Sequence, residues 1–285
     1  MKRFEDKVVL VVGAASGIGR TTALAFADEG ARLMLADLDE DGLHTVAKEA
    51  AERSACLLAQ RVDVSKTEDM AALAEAVHEA VPCVDVLVNS AGVYITGGIL
   101  DLSLEDWDWV LSINLHGLIH GCHYFIPPMA RRGQGGHVVN LASMYGYWTS
   151  PQVVGYLTSK FGVFGFSEAL REDLRPYGVR VSTVCPGMIN TGLVNRMRIR
   201  HTACPEESRG QLADAYQHRN YGPEKVAHAI VDAVYKKRKM VLVSPESRIM
   251  YRLERWCPAL SRAIARSAAK RMFGNPSPAQ TQGRG

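Results

Sequence analysis

Short apolar runs rich in β-branched residues alternate along the chain with longer amphipathic stretches. The runs are VVLVV (8–12), RLMLAD (32–37), LLAQRVD (57–63), VDVLVN (84–89), HVVNLAS (137–143), RVSTVCP (180–186) and MVLVS (240–244). Strands spaced by helical segments predict right-handed βαβ crossovers, and hence an α/β, Rossmann-type doubly wound parallel sheet of about seven strands with helices on both faces. The stretch 188–222 is long, polar and irregular between two regular elements, which predicts a lid over a functional site. No internal repeat interrupts the pattern. Residues 1–245 therefore read as one catalytic-sized domain, 246–273 as a basic amphipathic helical extension, and 274–285 as a disordered tail.

Charge and cysteine content narrow the classes of function. The net charge of the 285 residues is +3, but the segment from Glu246 onward carries +6, leaving −3 for the rest. A nucleic-acid-binding body does not fit that balance. Cys56, Cys83, Cys122, Cys185, Cys204 and Cys257 are scattered without a C-x-x-C pair, as expected of reduced thiols in a cytoplasmic chain rather than a disulfide framework or zinc ribbon. The N-terminal apolar run is short and leads into glycines, making a poor signal peptide, and no stretch is long enough to span a membrane.

The sequence VVGAASGIGR follows the first predicted strand and opens a helix, placing Gly13, Gly17 and Gly19 in a G-x-x-x-G-x-G array. Glycines allow the tight turn and let backbone amides at a helix start approach a diphosphate. Asp37 ends the second strand, near the spacing at which a carboxylate takes the hydroxyls of an adenosine ribose. Such a carboxylate repels a 2′-phosphate, and neither Ala15 nor Leu38 offers a compensating cation, so the reading is NAD over NADP.

A second pattern lies in YLTSK, where Tyr156 and Lys160 sit one helical turn apart. A tyrosine ordinarily titrates near 10, and a neighbouring ammonium in a poorly hydrated cleft is expected to bring it toward about 7, worth about 4 kcal/mol. Ser143, at the end of the fifth strand, lies thirteen residues earlier. Together with NSAG (89–92), the DV pair Asp63 and Val64, Asn114 in SINLHG, and CPGMINT (185–191), these motifs make the chain from about residue 5 to 245 resemble the short-chain dehydrogenase/reductase family. Val12 and Ser90 depart from its pattern, which has threonine and asparagine there.

The resemblance implies a hydride-transfer site. Tyr156 would exchange a proton with the substrate oxygen, Ser143 would hydrogen-bond that oxygen, and Lys160 would tune the tyrosine and hold the nicotinamide ribose. Asn114 would position a relay water, and Thr191 would anchor the carboxamide. The implied cofactor contacts extend to Ser16 and Ile18, to Asp63 and Val64 at the adenine, to Asn89, Ala91 and Gly92, and to Pro186, Gly187 and Ile189. A homodimer or homotetramer built on the helices following Leu104 and Pro151 is also implied.

Val93, Tyr94, Met144, Tyr145, Trp148 and Met188, with Tyr147 and Val153, are the expected substrate pocket; aromatic and flexible apolar side chains suit a bulky hydrophobic alcohol or ketone. Arg196, Arg198, Arg200 and His201 in the lid are either a solvated basic face or a greeting for an acidic group. In the extension, Ile249, Leu253 and Trp256 share a helical face, and Leu260 and Ile264 form another pair, among arginines. Such a helix caps the pocket, packs on a partner subunit, or makes a peripheral membrane contact. His116, His120 and His123 are spaced along one helix without an accompanying carboxylate, so no metal is expected there. Two further readings stand beside the dehydrogenase: an NADPH-dependent 3-oxoacyl thioester reductase, and a non-catalytic NAD-sensing scaffold.

Overall fold

In a computed structural model, residues 2–201, 205–219 and 221–273 are described. The predicted disordered tail and Cys204 lie outside them. The seven apolar runs form β1 (Val8–Val12), β2 (Arg32–Asp37), β3 (Cys56–Arg61), β4 (Val86–Asn89), β5 (Gly136–Leu141), β6 (Val179–Cys185) and β7 (Met240–Leu242). They pair in parallel in the order β3-β2-β1-β4-β5-β6-β7. Consecutive valines and leucines suit strands buried on both faces, and all five residues of β1 are buried.

The crossovers are α1 (Gly17–Asp28), α2 (Glu40–Ala51), α3 (Thr67–Ala80), α4 (Leu104–Leu111), α5 (Gly117–Arg132), α6 (Val154–Asp173), α7 (Pro205–Arg219) and α8 (Pro223–Tyr235). Two apolar layers result. Val77, Phe125 and Val163 pack on one face of the sheet, and Phe26, Leu43 and Ile230 on the other. A single π-helical turn, Ser112–His116, joins α4 to α5 and carries Asn114 inward. Such turns are rare and often mark functional positions.

Helix α7 corrects the expectation of an irregular lid. Its sequence PEESRGQLADAYQHR has no apolar stripe, so periodicity gave no sign of a helix; tertiary packing of Leu212 against Tyr94, Tyr156 and Val194 holds it. The ends of the lid are pinched together where Asn190 N donates to Tyr221 O at 2.9 Å. Its middle is fastened to α4 by Arg198 and Arg200, which both reach the buried Asp106 carboxylate, at 3.2 and 2.8 Å. These guanidiniums, Arg200 foremost, hold Asp106 below the ordinary carboxylate range. The basic residues at 198 and 200 are therefore paired rather than free.

The extension forms α9 (Pro245–Trp256) and α10 (Pro258–Phe273), and the apolar faces read from its pattern are only partly covered, with Leu253 and Ile264 half-buried. Ile249 and Trp256 are 52% and 83% exposed, and Leu260 is 53% exposed. What docks instead is Ser247, whose hydroxyl bonds Cys185 O at 2.6 Å and the Tyr147 hydroxyl at 2.6 Å, followed by Ser261, Ala265 and Ala269 of α10. Small residues allow these helices to approach closely, and the polar bonds fix the angle of entry. The five cysteines among the described residues are free thiols. His120 Nδ1 lies 3.0 Å from Val64 O, so this ring ties α5 to the loop after β3.

Candidate active site

The strand order reverses between β1 and β4, and the loops leaving their carboxyl ends diverge there. A cavity of about 610 Å³ occupies that crevice and runs from the glycine loop to the C-terminal helices.

At one end Gly13 and Gly17 adopt φ of +88° and +53°, a left-handed backbone that glycine takes without strain. Gly13 N and Ala14 N donate to Ala36 O at 2.8 and 3.1 Å, and Ala15 N donates to Asp37 Oδ2 at 2.8 Å. One oxygen of Asp37 thus holds the loop, while the other accepts Asp39 N at 3.0 Å; the residue still lines the cavity. Ser16, the N-cap of α1, caps no amide of the helix with its side chain, and Gly17, Ile18 and Gly19 line the cavity at the first turn. Glycine keeps the neighbouring space open: a Cβ on Gly17 would meet the Thr191 side chain at 3.4 Å, and one on Gly92 would lie 3.3 Å from Asn114 Oδ1 and 3.7 Å from Lys160 Nζ. Uncapped amides at a helix start and a carboxylate at the end of β2 are a donor set that fits a dinucleotide, with the diphosphate at α1 and a ribose at Asp37.

The buried face of α6 is Tyr156, Ser159, Lys160, Val163 and Ser167, so the one-turn spacing read from YLTSK does aim Tyr156 and Lys160 inward together. Ser143 follows β5 by two residues and opens the 3-10 turn Met144–Gly146, its hydroxyl accepting Tyr145 N at 3.2 Å. Ser143, Tyr156 and Lys160 all line the cavity. The Lys160 ammonium donates to Leu141 O at 2.9 Å and sits 5.7 Å from the centre of the Tyr156 ring.

The electrostatics depart from the expected lowering of the phenol. Burial pushes Tyr156 well above its ordinary value near 10, with a hydrogen bond to Ser143 drawing it partly back, and burial also brings Lys160 down from 10.5 to about 8. Both groups lie in one apolar pocket: Tyr94 packs edge-on against Tyr156 at 4.5 Å and Tyr145 at 6.1 Å. Loss of water acts more strongly on each than their mutual influence across 5.7 Å.

Over residues 7–201 the chain matches the sequence family described as short chain dehydrogenase. The chain belongs to that family. It is 41% identical over 267 residues to the Mycobacterium tuberculosis protein named "Probable oxidoreductase EphD", an alignment covering 92% of this chain and 45% of EphD. The chain thus spans less than half the length of that curated relative. The 3-oxoacyl-[acyl-carrier-protein] reductase FabG of Thermotoga maritima is 32% identical over 230 residues, 80% of this chain and 90% of FabG. Among solved structures, a short chain dehydrogenase/reductase from Burkholderia phymatum in complex with NAD superposes with a TM-score of 0.83 at 31% identity, covering 97% of this chain and 98% of that one.

Within this short-chain dehydrogenase most of the expected contact residues meet at the one cavity. Asp63 and Val64 flank it beyond Asp37, and Ala91, Gly92, Pro186, Gly187, Ile189 and Thr191 line its middle. Val93, Tyr94, Met144, Tyr145, Trp148 and Met188 line the far end. Four residues fall elsewhere. Asn89 lies beneath the cleft, its amide bonded to Asn140 Oδ1 at 3.0 Å. Asn114 is absent from the lining, with its amide fastened to Val93 and Ser159 at 2.7 to 3.0 Å. Tyr147 is a strut for α9 through Ser247, and Val153 is fully buried.

The extension lines the pocket, one of the three placements its sequence allows, and with α7 it supplies a roof whose individual residues the sequence does not single out. Glu246, Met250, Ala268 and Met272 from the extension, and Tyr216 and Arg219 from α7, all line the cavity. Glu246 Oε1 accepts Met188 N at 3.1 Å, and its other oxygen pairs with Arg219. One carboxylate therefore joins the extension, the lid helix and the loop after β6. No local signal marks these residues, since only the folded path of the chain brings them over the pocket.

Proposed function

We propose that this chain is an NAD-dependent dehydrogenase that interconverts a hydrophobic secondary alcohol, of steroid, retinoid or lipid type, with its ketone. The observation that supports the reading is the convergence of Ser143, Tyr156 and Lys160 on a single cavity, dinucleotide-compatible at one end and lined by aromatic and methionine side chains at the other. NAD, when bound, supplies the hydride acceptor or donor. Gly17 to Gly19 and Asp37 hold and orient the dinucleotide, and Asp37 disfavours a 2′-phosphate.

At the substrate oxygen, Ser143 donates a hydrogen bond and Tyr156 gives or takes the proton. A phenol kept protonated by burial is suited to donate to a developing alkoxide in ketone reduction. Lys160 holds the nicotinamide ribose and, at neutral pH, bears the charge that offsets a phenolate in the reverse direction. The amide of Asn114 fixes the backbone at Val93 and the Ser159 hydroxyl, the position from which it would order a relay water. Tyr145 stacks on Trp148 at 5.7 Å, and with Met250, Ala268 and Met272 it excludes water from the reacting atoms.

Outside the cavity, exposed Leu104 and Phe161 on α4 and α6 support a homodimer or homotetramer. The exposed Ile249, Trp256 and Leu260 among arginines support a peripheral contact with a membrane. Among the described residues no helix is long and apolar enough to cross one. A second reading, a reductase of 3-oxoacyl thioesters using NADPH, draws support from the similarity to FabG.

The test is a panel of steroid, retinoid, aliphatic and 3-oxoacyl substrates with NAD(H) and NADP(H), following absorbance of the reduced nicotinamide. Turnover of a bulky ketone or alcohol with NAD(H) is expected. Turnover confined to acyl thioesters with NADPH would establish the second reading, and tight dinucleotide binding with no turnover of any substrate would point to a scaffold.

A further inference from the structure

Three arginines line or border the cavity from the lid side, and they are not equivalent. Arg219 is paired with Glu246, and Arg198 is paired with Asp106 while its guanidinium lies 3.8 Å above the Trp109 ring. Arg196, in the 3-10 turn Val194–Arg196, has no carboxylate partner among the described residues. Its guanidinium donates instead to the Ser16 hydroxyl at 2.7 Å, across 180 residues of sequence. Ser16 is the N-cap of α1, and both residues line the cavity.

The charges near this contact make its chemistry specific. The acidic groups at the dinucleotide end, Asp37 and Asp63, are engaged with local donors: Asp37 with Ala15 N, and Asp63 with Ser65 N and the Ser65 hydroxyl, at 3.0 and 2.6 Å. Arg20, one turn into α1, is held by Glu49 at 2.7 Å. Among the described residues, Arg196 is thus a side-chain cation without a carboxylate partner at the start of α1, where the uncapped amides of the first turn meet the cavity. The lid passes directly over that turn, since a Cβ on Gly17 would touch Thr191 at 3.4 Å.

We propose, resting on the dinucleotide-binding reading above, that Arg196 is a positioning residue of the lid that transfers its hydrogen bond from Ser16 to the cofactor diphosphate. Two formal negative charges then replace a neutral hydroxyl as its partner, and a charge-assisted contact is the stronger of the two. The cofactor itself therefore helps to hold the lid down, and the roof of the substrate pocket is set after the dinucleotide has bound. The 2′-position is the less suitable target, because the Asp37 carboxylate stands beside it and is bonded to the residue preceding Ser16.

The experiment compares the full chain with Arg196→Gln and Arg196→Lys, measuring affinity for NADH, ADP-ribose, adenosine and NADPH by calorimetry and lid accessibility by limited trypsin digestion. Arg196→Gln is expected to weaken NADH and ADP-ribose by roughly tenfold. Adenosine, which has no phosphate, is expected to bind all three proteins alike, and Arg196→Lys to recover part of the loss. NADH is expected to slow cleavage of the lid in the parent protein and much less in Arg196→Gln. Unchanged NADH and ADP-ribose affinity in Arg196→Gln would overturn the proposal while leaving the functional reading intact. A loss confined to NADPH would assign the guanidinium to a 2′-phosphate and overturn it as well. Failure of the parent protein to bind any dinucleotide would sink both.

Discussion

The floor and the roof of the cavity are built by different means. The floor is made of strand ends and helix starts: Gly13 N and Ala14 N bond Ala36 O, Ser90 N bonds Val12 O, and Met144 N bonds Pro186 O, each at 2.8 to 3.1 Å. Main-chain bonds to a parallel sheet leave these positions little freedom, and the glycine loop, Ser143 and the α6 pair inherit that rigidity. The roof is joined largely through side chains, Glu246 to Met188 and Arg219, Arg196 to Ser16, and Arg209 to the carbonyls of Asn195 and Met197 at 2.9 and 2.8 Å, beside the main-chain ties of Arg198 N to Tyr94 O and Arg200 N to Thr96 O at 3.0 and 2.9 Å. A roof of this kind can be re-lined or loosened while the chemistry below stays in place. On the proposed function, the floor carries the chemistry and most of the cofactor contacts, and the roof bears on substrate choice.

Three variants probe that division, in order of decreasing effect. Tyr156→Phe removes the phenol proposed as the proton carrier of the floor. Turnover is expected to fall by roughly 10²- to 10⁴-fold with NADH affinity unchanged, as read from nicotinamide absorbance and a direct binding titration. Retention of full activity would remove Tyr156 from the chemistry. In the roof, Ala268→Trp places an indole in the cavity. KM for bulky ketones is expected to rise about tenfold, worth about 1.4 kcal/mol, while small aliphatic ketones and NADH are unaffected. Equal losses for large and small substrates would show that roof and floor are not separable.

The smallest effect concerns Lys160, whose ammonium is brought from 10.5 to about 8 by burial. Between those values the unfolded chain binds a proton that the native state has released, so stability rises with pH across the window and the cost of burying the charge is fully present below it. The urea midpoint should therefore move upward from about pH 7.5 to about pH 9.5, by an amount on the order of 1 kcal/mol in stability, relative to Lys160→Met. Parallel pH profiles for the two proteins would mean that the ammonium keeps its ordinary affinity for protons.

The same division explains what was legible in the sequence. The glycine array, Asp37, Ser143, Tyr156 and Lys160 announce themselves because each sits at a strand end or on a helical face whose position follows from local periodicity. Helix α7 was missed because its single buried leucine makes no stripe, and its place is decided by Tyr94 and Val194 far away in sequence. In α9 the apolar stripe leaves its partner open, and of its three members only Leu253 is half-buried. Ile249 and Trp256 look like the packing face, yet Ser247 wins it through bonds to Cys185 and Tyr147 that no local pattern can anticipate. Asn89 illustrates the converse: its strand is as expected, but its amide turns down to Asn140 rather than toward the cleft.

The position of Met272 and Ala268 in the lining also dictates a timetable for biosynthesis. The proposed catalytic side chains and the glycine loop lie before residue 200, whereas the last wall of the pocket is supplied by α10. A nascent chain can complete its N-terminal half while that helix is still inside the ribosomal tunnel, so greasy surface around Tyr145 and Trp148 stays uncovered until α10 has emerged and docked. During that interval chaperones would find their natural target at this open aromatic end of the cavity.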